Sequence, residues 1–307
     1  MLQNILDIQE QFHLPTSQLN LLIEYIQEQT SNTSNKTHTT KTAPKILRKI
    51  VKQLKENVPV EYITKFTYFY NTKIYTRTST DKAYIPSPFT ERLVTKTLEA
   101  YTKIQDTTNA NETYKNTLFL DIGTGTSAIL IALFQEIQKM QETYKMQKIQ
   151  NNKLLKHTSF IGTDINESAL KVANLNLTKH NLQNHIKLIR ANIAYCLNSQ
   201  EICPTIQDAI KKAKNIFITY NKPYVAQSEY KKLPKNMYHY PKIALVQNAQ
   251  TDQTYRKFIT WLKKMQNNLP KNNTKNIYII METASNNKKH TPKIIQTLLS
   301  KKVVPVR

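Results

Sequence analysis

Two glycines constrain the middle of this chain more than any other feature. Leu118-Phe-Leu-Asp-Ile-Gly-Thr-Gly-Thr-Ser127 holds two of only three glycines in 307 residues. They separate a short apolar run, Leu118 to Leu120, from a longer one, Ala128 to Phe134. The first run suits a buried parallel strand and the second a helix. Glycine at 123 permits positive φ, and glycine at 125 lets a ligand approach without meeting a Cβ. The unpaired N–H groups at the helix start favour a polar or negative group. Asp121, at the strand's end, aims a carboxylate into the same crevice and suits a ligand with a positive end. The stretch therefore reads as a nucleotide-type cradle, or as a strand-to-helix turn whose glycines serve geometry alone.

From Asn116 onward strand and helix patterns alternate. Strands are expected over Leu118 to Asp121, Ser159 to Asp164, Ile186 to Ala191, Asn215 to Tyr220 and Asn276 to Glu282. Such alternation implies a doubly wound α/β sheet, whose ligands bind beyond the carboxyl ends of the strands. Asp164 ends the second strand one unit after the glycine turn, where a carboxylate can accept both ribose hydroxyls of an adenosine. Asn166 caps the helix that follows. Asn192 ends the third strand and can meet an adenine amine, although Asn also favours turns. The Gln- and Lys-rich stretch Gln135 to Lys156 reads as a solvated insertion extending the helix after the glycines.

Before the sheet, apolar spacing predicts two helices over residues 2 to 29, broken at Pro15, and a third over Pro44 to Lys55, with a loop from Ser31 to Thr42. Phe66 to Tyr70 and Lys73 to Arg77 read as a hairpin turning at Asn71-Thr72. In Ile85-Pro-Ser-Pro-Phe-Thr-Glu91, Ser87 is an N-cap and Pro88 a first helical residue of a helix reaching about Lys103.

Lys and Arg number 44 against 21 Asp and Glu, a formal net charge of +23. That charge draws a protein to polyanions, but the basic residues are scattered among abundant Lys, Asn, Thr, Tyr and Ile. A global compositional bias explains this better than a dedicated nucleic-acid face. Cys196 and Cys203 are too few for a disulfide framework or a four-ligand zinc site and fit a reduced, cytoplasmic protein. The seven histidines form no metal motif, so no metal is expected. No signal-peptide core or membrane-length apolar stretch is present, so no membrane association is expected.

The order of motifs carries a resemblance. Asp121-Ile-Gly-Thr-Gly125 is similar to motif I of S-adenosylmethionine-dependent methyltransferases. A helical amino-terminal module, a hairpin, Ile85-Pro-Ser-Pro-Phe-Thr-Glu91, Gly162-Thr-Asp-Ile165, Asn221-Lys-Pro-Tyr224 and Tyr240-Pro-Lys-Ile-Ala-Leu245 with Tyr255-Arg256 follow the order of the HemK/PrmC family of release factor glutamine methyltransferases. The resemblance covers nearly the whole chain. It implies an α/β, Rossmann-like class I methyltransferase sheet over residues 91–307, an N-terminal helical substrate-binding domain over 1–65 and a β-hairpin linker over 66–90. The implied cofactor is S-adenosyl-L-methionine, held by Asp121, Gly123, Thr124, Gly125, Asp164, Ile165, Asn192 and Asn221. The implied substrate is a glutamine of a peptide chain release factor, near the ribosome, met by Asn221, Lys222, Pro223 and Tyr224. Asn221, Pro223 and Tyr224 are the implied catalytic residues, in a monomeric enzyme.

Several positions depart from the family pattern. Lys222 stands where the family has proline, Phe89 where its linker motif has glutamate, Ser127 at a third motif I glycine, and Gln247, Asn248 and Thr251 at later glycines. The chain also stops before the closing strand such a sheet would have. A lysine stem is long enough to carry its charge from position 222 to solvent while its backbone carbonyl stays in place. The same motifs leave two other readings open: an adenine amino-methyltransferase of nucleic acid, and a decayed homologue that binds cofactor without turnover.

Overall fold

The computed structural model describes residues 2–31, 39–107, 116–146, 154–191, 204–223, 225–247, 260, 275–282 and 303–305. At the amino terminus, α1 (Leu2–Phe12), α2 (Thr16–Ser31) and α3 (Thr39–Lys55) pack with the short α4 (Val60–Ile63). Their apolar spacing buries Ile8, Leu22, Ile26, Ile50 and Leu54 in one core. Pro15 separates α1 from α2 as expected, with His13 in the left-handed region to end α1. α3 starts earlier than Pro44, which lies inside it; past the first turn a proline removes one i→i−4 hydrogen bond, which the helix forgoes there.

The hairpin consists of β1 (Phe66–Phe69) and β2 (Thr72–Tyr75), with Phe69 opposite Thr72. Its turn is Tyr70-Asn71, one residue earlier than expected. Both residues have positive φ, 49° and 59°, as a two-residue turn matched to strand twist requires. The hairpin joins two cores: Phe66 packs into the helical module, while Phe69 and Ile74 pack against the sheet. Ser87 then accepts from the Phe89 N–H at 3.1 Å, capping a 3-10 turn at Pro88–Thr90 that leads into α5 (Glu91–Thr107).

The remaining elements are β3 (Thr117–Ile122), α6 (Ala128–Met146), β4 (Thr158–Asp164), α7 (Glu167–Lys179), β5 (Ile186–Arg190), α8 (Pro204–Lys212), β6 (Asn215–Tyr220), β7 (Val225–Ala226), α9 (Lys242–Leu245), β8 (Val246–Gln247), β9 (Asn276–Met281) and β10 (Val303–Pro305). Six strands form one parallel sheet in the order β10-β9-β6-β3-β4-β5. This is the doubly wound, Rossmann-like α/β fold of the sequence reading, with its topological switch between β3 and β6. β10 pairs in parallel with β9 and forms one edge of the sheet.

Register dictates how the sheet is filled. Phe160, Phe119, Phe217 and Tyr278 stand on four adjacent strands and stack in a row, with centroids 5.2, 5.0 and 4.8 Å apart and rings within 20° of parallel. Each such pair contributes about 0.5–1.5 kcal/mol beyond its burial. α5 and α6 cover this face, while Ile206 and Ile210 of α8 meet Leu118, Leu120, Ile216 and Ile218 on the other. The reading of Gln135 to Lys156 as solvated is also corrected: Ile137 and Leu154 are buried in the core. Widely spaced apolar residues suffice for one helix face, and the polar remainder masks them in a linear reading.

Candidate functional site

The glycine turn after β3 is left-handed at three places: Gly123 (φ 69°), Gly125 (φ 54°) and Ser127 (φ 65°). Ser127 thus adopts the conformation for which glycine is the easy choice, at a cost of about 1–2 kcal/mol for an L-residue. The third glycine of the chain serves the same turn from β4. A Cβ on Gly162 would lie 2.9 Å from Thr124 Oγ1 and 3.1 Å from Leu130 and Leu188 carbons, so its bare backbone makes room for Thr124. All three glycines of the sequence therefore converge on one crevice.

Hydrogen bonds pin the turn to the end of β4. Thr124 N–H donates to Thr163 O at 2.9 Å. Gly125 N–H donates to Asp164 Oδ2 at 3.0 Å, and Asn166 N–H donates to Asp164 Oδ1 at 2.8 Å. Asp164 thereby joins the glycine turn to the start of α7, and Asn166 caps that helix through Ser168 N–H at 3.1 Å. Burial pushes the Asp164 carboxyl up, partly offset by the N–H groups of Asn166, Gly125 and Ile165. Ile165 beside it is exposed.

Asp121 is 1% exposed; its neighbours on β4 and β6 enclose it more tightly than a strand-end position suggests. Its Oδ1 accepts from Thr219 Oγ1 at 2.7 Å. Burial pushes its carboxyl up to about 6, with hydroxyl groups of Thr219 and Thr124 pulling the other way and the Asp164 charge adding to the rise. The Thr124 hydroxyl lies near enough to act on that carboxyl electrostatically but lacks hydrogen-bond geometry. Among the described residues, Asp121 Oδ2, Thr124 Oγ1 and Ser127 Oγ are buried with no hydrogen-bond partner. An orphaned buried polar atom costs about 1–3 kcal/mol, and these three lie on the same short turn.

β3 and β6 pair in register, Ile122 opposite Tyr220, which sets Gly123 beside Asn221. A Cβ on Gly123 would lie 4.0 Å from Tyr220 Cε2. Asn221 Nδ2 donates to Thr90 Oγ1 at 2.9 Å, and Thr90 Oγ1 donates to Glu282 Oε2 at 3.3 Å. Lys222 is buried, 6% exposed. The expectation that its stem carries the charge out to solvent is therefore wrong: the position follows directly on a fully buried central strand and is enclosed with it. Pro223 is half-buried.

The structure thus brings Asp121, Gly123, Thr124, Gly125 and Asp164 together and sets Asn221 next to them. Asn192 and Tyr224 lie outside the described residues, as do Cys196, Cys203, Asn248, Thr251, Tyr255 and Arg256. Tyr240 packs instead against the linker and helical module, its ring 5.4 Å from Tyr62 and 5.2 Å from Tyr84. Sequence reasoning missed three participants. In the sequence Thr90 stands out only as part of the motif over residues 85–91, and Glu282 only as a strand end. Asn176, buried in mid-helix, accepts from Tyr75 N–H at 2.7 Å and donates to Tyr75 O at 2.8 Å and Thr126 O at 3.0 Å. A polar residue among the apolar positions of α7 was the available signal, and it ties the hairpin to the glycine turn. Among the described residues no three His, Cys, Asp or Glu side chains gather as for a metal, and no helix is long and apolar enough to cross a membrane.

No family model matches the chain. It is 29% identical over 210 residues to the release factor glutamine methyltransferase of Flavobacterium psychrophilum, covering 68% of this chain and 59% of that protein. It is 27% identical over 206 residues to a bifunctional methyltransferase of Rickettsia typhi, covering 64% and 33%. To the release factor glutamine methyltransferase of Thermodesulfovibrio yellowstonii it is 28% identical over 243 residues, covering 78% and 69%. The chain thus spans 59% and 33% of the length of the first two. Among solved structures, the hMettl16 catalytic domain in complex with an RNA hairpin gives 16% identity and a TM-score of 0.34, covering 60% of this chain and 55% of that one. In sequence, the chain is similar to release factor glutamine methyltransferases, as its motifs imply.

Proposed function

We propose that this protein transfers a methyl group from S-adenosyl-L-methionine to the side-chain amide nitrogen of a glutamine in a peptide chain release factor. The observation that carries the reading is the β3–β6 register, which sets the glycine turn and Asn221 side by side at the switch point of the sheet. The residues present fit the cofactor. Asp121 Oδ2, buried and unpartnered, suits an ammonium, and the backbone of Gly123, Thr124 and Gly125 leaves room for its neighbours. Asp164 retains a lone pair on each oxygen for ribose hydroxyls, and exposed Ile165 offers an apolar surface to a base. Asn192 is the proposed partner of the adenine amine. When bound, this cofactor supplies an activated methyl group, so the protein's task is orientation.

A carboxamide nitrogen is a poor nucleophile because its lone pair is delocalised into the carbonyl. Acceptors on its two N–H groups hold that nitrogen in place; Asn221 Oδ1 and the backbone carbonyl of Lys222 fill those roles, with Pro223 stiffening the turn and Tyr224 flanking the planar amide. Residues 1–65 form the part that recognises the release factor and 66–90 the linker, with 91–307 carrying the chemistry. The hydrogen bonds of Asn176 and a contact of His239 Nε2 with Glu56 O at 3.0 Å support a fixed relation between these parts. The setting that goes with this substrate is the cytoplasm, near the ribosome, with the enzyme acting as a monomer.

Incubation with labelled methyl donor tests the reading, using purified release factor, the same factor with its glutamine replaced, and total RNA. Label is expected on the intact factor alone. Label on RNA would replace the substrate by an adenine amine, and label on neither would leave a cofactor-binding protein without turnover.

A further inference from the structure

We propose that Glu282 and Thr90 are positioning residues that fix which way the Asn221 amide faces. The inference rests on the acceptor role given to Asn221 above, and it extends that role to two residues far away in sequence, one in the linker motif before α5 and one just past β9.

Donors and acceptors around Thr90 decide the orientation. An asparagine amide presents C=O on one branch and NH₂ on the other, nearly identical in shape, so only its hydrogen-bond partners decide which branch faces which way. A threonine hydroxyl has a single proton. Thr90 is 4% exposed, and its hydroxyl lies between Glu282 Oε2 at 3.3 Å and Asn221 Nδ2 at 2.9 Å. A carboxylate can only accept, so the Thr90 proton is directed to Glu282 and a lone pair is turned toward Asn221. That lone pair selects the NH₂ branch. The carbonyl branch is then held on the side away from Thr90, the orientation that the acceptor role requires. Were the Thr90 hydroxyl unconstrained, it could as well donate to Asn221 Oδ1, presenting an NH₂ to another NH₂.

Glu282 is itself held in place. Its N–H donates to Tyr220 O at 3.3 Å, on the residue preceding Asn221. Glu282 is half-buried, and its charge adds to the burial that pushes the Tyr84 phenol up.

Thr90→Val keeps the shape of the side chain and removes the hydroxyl. We expect its kcat on release factor to fall about tenfold to a hundredfold, the scale of a misoriented reacting group, with KM for cofactor and calorimetric cofactor affinity unchanged. Thr90→Ser restores the rate. Glu282→Gln lowers kcat less than Thr90→Val, and in the Thr90→Val background it lowers it no further, because it acts through that hydroxyl. A Thr90→Val enzyme with wild-type kcat would overturn the proposal, as would additive losses in the double variant, or a loss of cofactor affinity and melting temperature in step with the rate that serine does not rescue. A readout independent of turnover separates this inference from the proposed activity. In Asn-labelled protein, the Asn221 side-chain NH₂ signal, identified by its loss in Asn221→Ser, is expected to exchange slowly with solvent and to become fast in Thr90→Val. Slow exchange in an inactive wild type would uphold the positioning and refute the activity; fast exchange in wild type would refute the positioning alone.

Discussion

The two sides of the crevice are built in different ways. On the side of β3 and β4, main-chain N–H groups are the donors, at most 39 residues from their acceptors: Thr124 N–H to Thr163 O, Gly125 and Asn166 N–H to Asp164, with glycines where a Cβ would obstruct. On the side of β6 and β9, side chains from residues 90, 221 and 282 form the contacts, up to 192 residues apart. Backbone-built geometry tolerates drift in composition as long as a few special conformations survive. In a chain with three glycines, all of them remain on that side. Side-chain geometry tolerates exchange of residues around it, and there a lysine is enclosed at position 222, beside Asn221.

The largest expected effect tests the acceptor side. Asn221→Ala removes the proposed amide acceptor and is expected to lower methyl transfer about a hundredfold or more, with cofactor affinity far less affected; a calorimetric loss matching the kinetic one would mean that the two sides are one site. Asp164→Ala is expected to do the reverse. Losing charge-assisted hydrogen bonds of about 1.5–3 kcal/mol each weakens cofactor binding by about tenfold to a hundredfold for each bond lost, and Gly125 and Asn166 lose their acceptor with it. Unchanged affinity on titration would remove Asp164 from the site.

Next in size is a pH effect on the backbone-built side. The folded Asp121 carboxyl lies at about 6, above its ordinary value of 3.8, so the folded state holds the proton more tightly than the unfolded chain. Its contribution to stability is fully present below about pH 4 and is lost as pH rises to about 6, at most roughly 3 kcal/mol. Asp164 shifts in the same direction. A cationic ligand favours the ionised form, so cofactor affinity is expected to rise through the same window. Asp121→Asn should flatten both profiles; denaturant melts and calorimetry between pH 4 and 7 check this.

The smallest effect is expected at Ser127. Ser127→Gly relieves a left-handed residue and removes a buried, unpartnered hydroxyl. Against the greater flexibility of glycine in the unfolded chain, the net gain is about 0.5–1 kcal/mol, seen as a melting temperature higher by about 2 °C. A lower melting temperature would show that the serine side chain is needed there.

What was legible in the sequence followed from local rules. The apolar runs at Leu118, Phe160 and Ile216 are strands because consecutive β-forming residues fit a sheet buried on both faces, and the glycine pair marks the turn because few other residues accept its φ angles. Ser87 and Asn166 cap helices as their positions suggested. The hairpin turn was misplaced by one residue because Tyr70 takes a left-handed φ without being the glycine that usually announces it. Ile137 on α6 and Leu154 beyond it were hidden by the Gln and Lys residues around them.

The sequence by itself determined the element order, the parallel class of the sheet and the crevice with its two carboxylates, since strand, turn and cap signals act over a few residues. Only the tertiary structure decided that Gly162 makes room for Thr124, that Asn176 ties hairpin to turn, that Lys222 is enclosed, and that Thr90 and Glu282 meet at Asn221. Those facts depend on strand register and on which distant backbones come within hydrogen-bond reach. A linear pattern does not carry that distance, because a single hydroxyl partner leaves no periodicity to read.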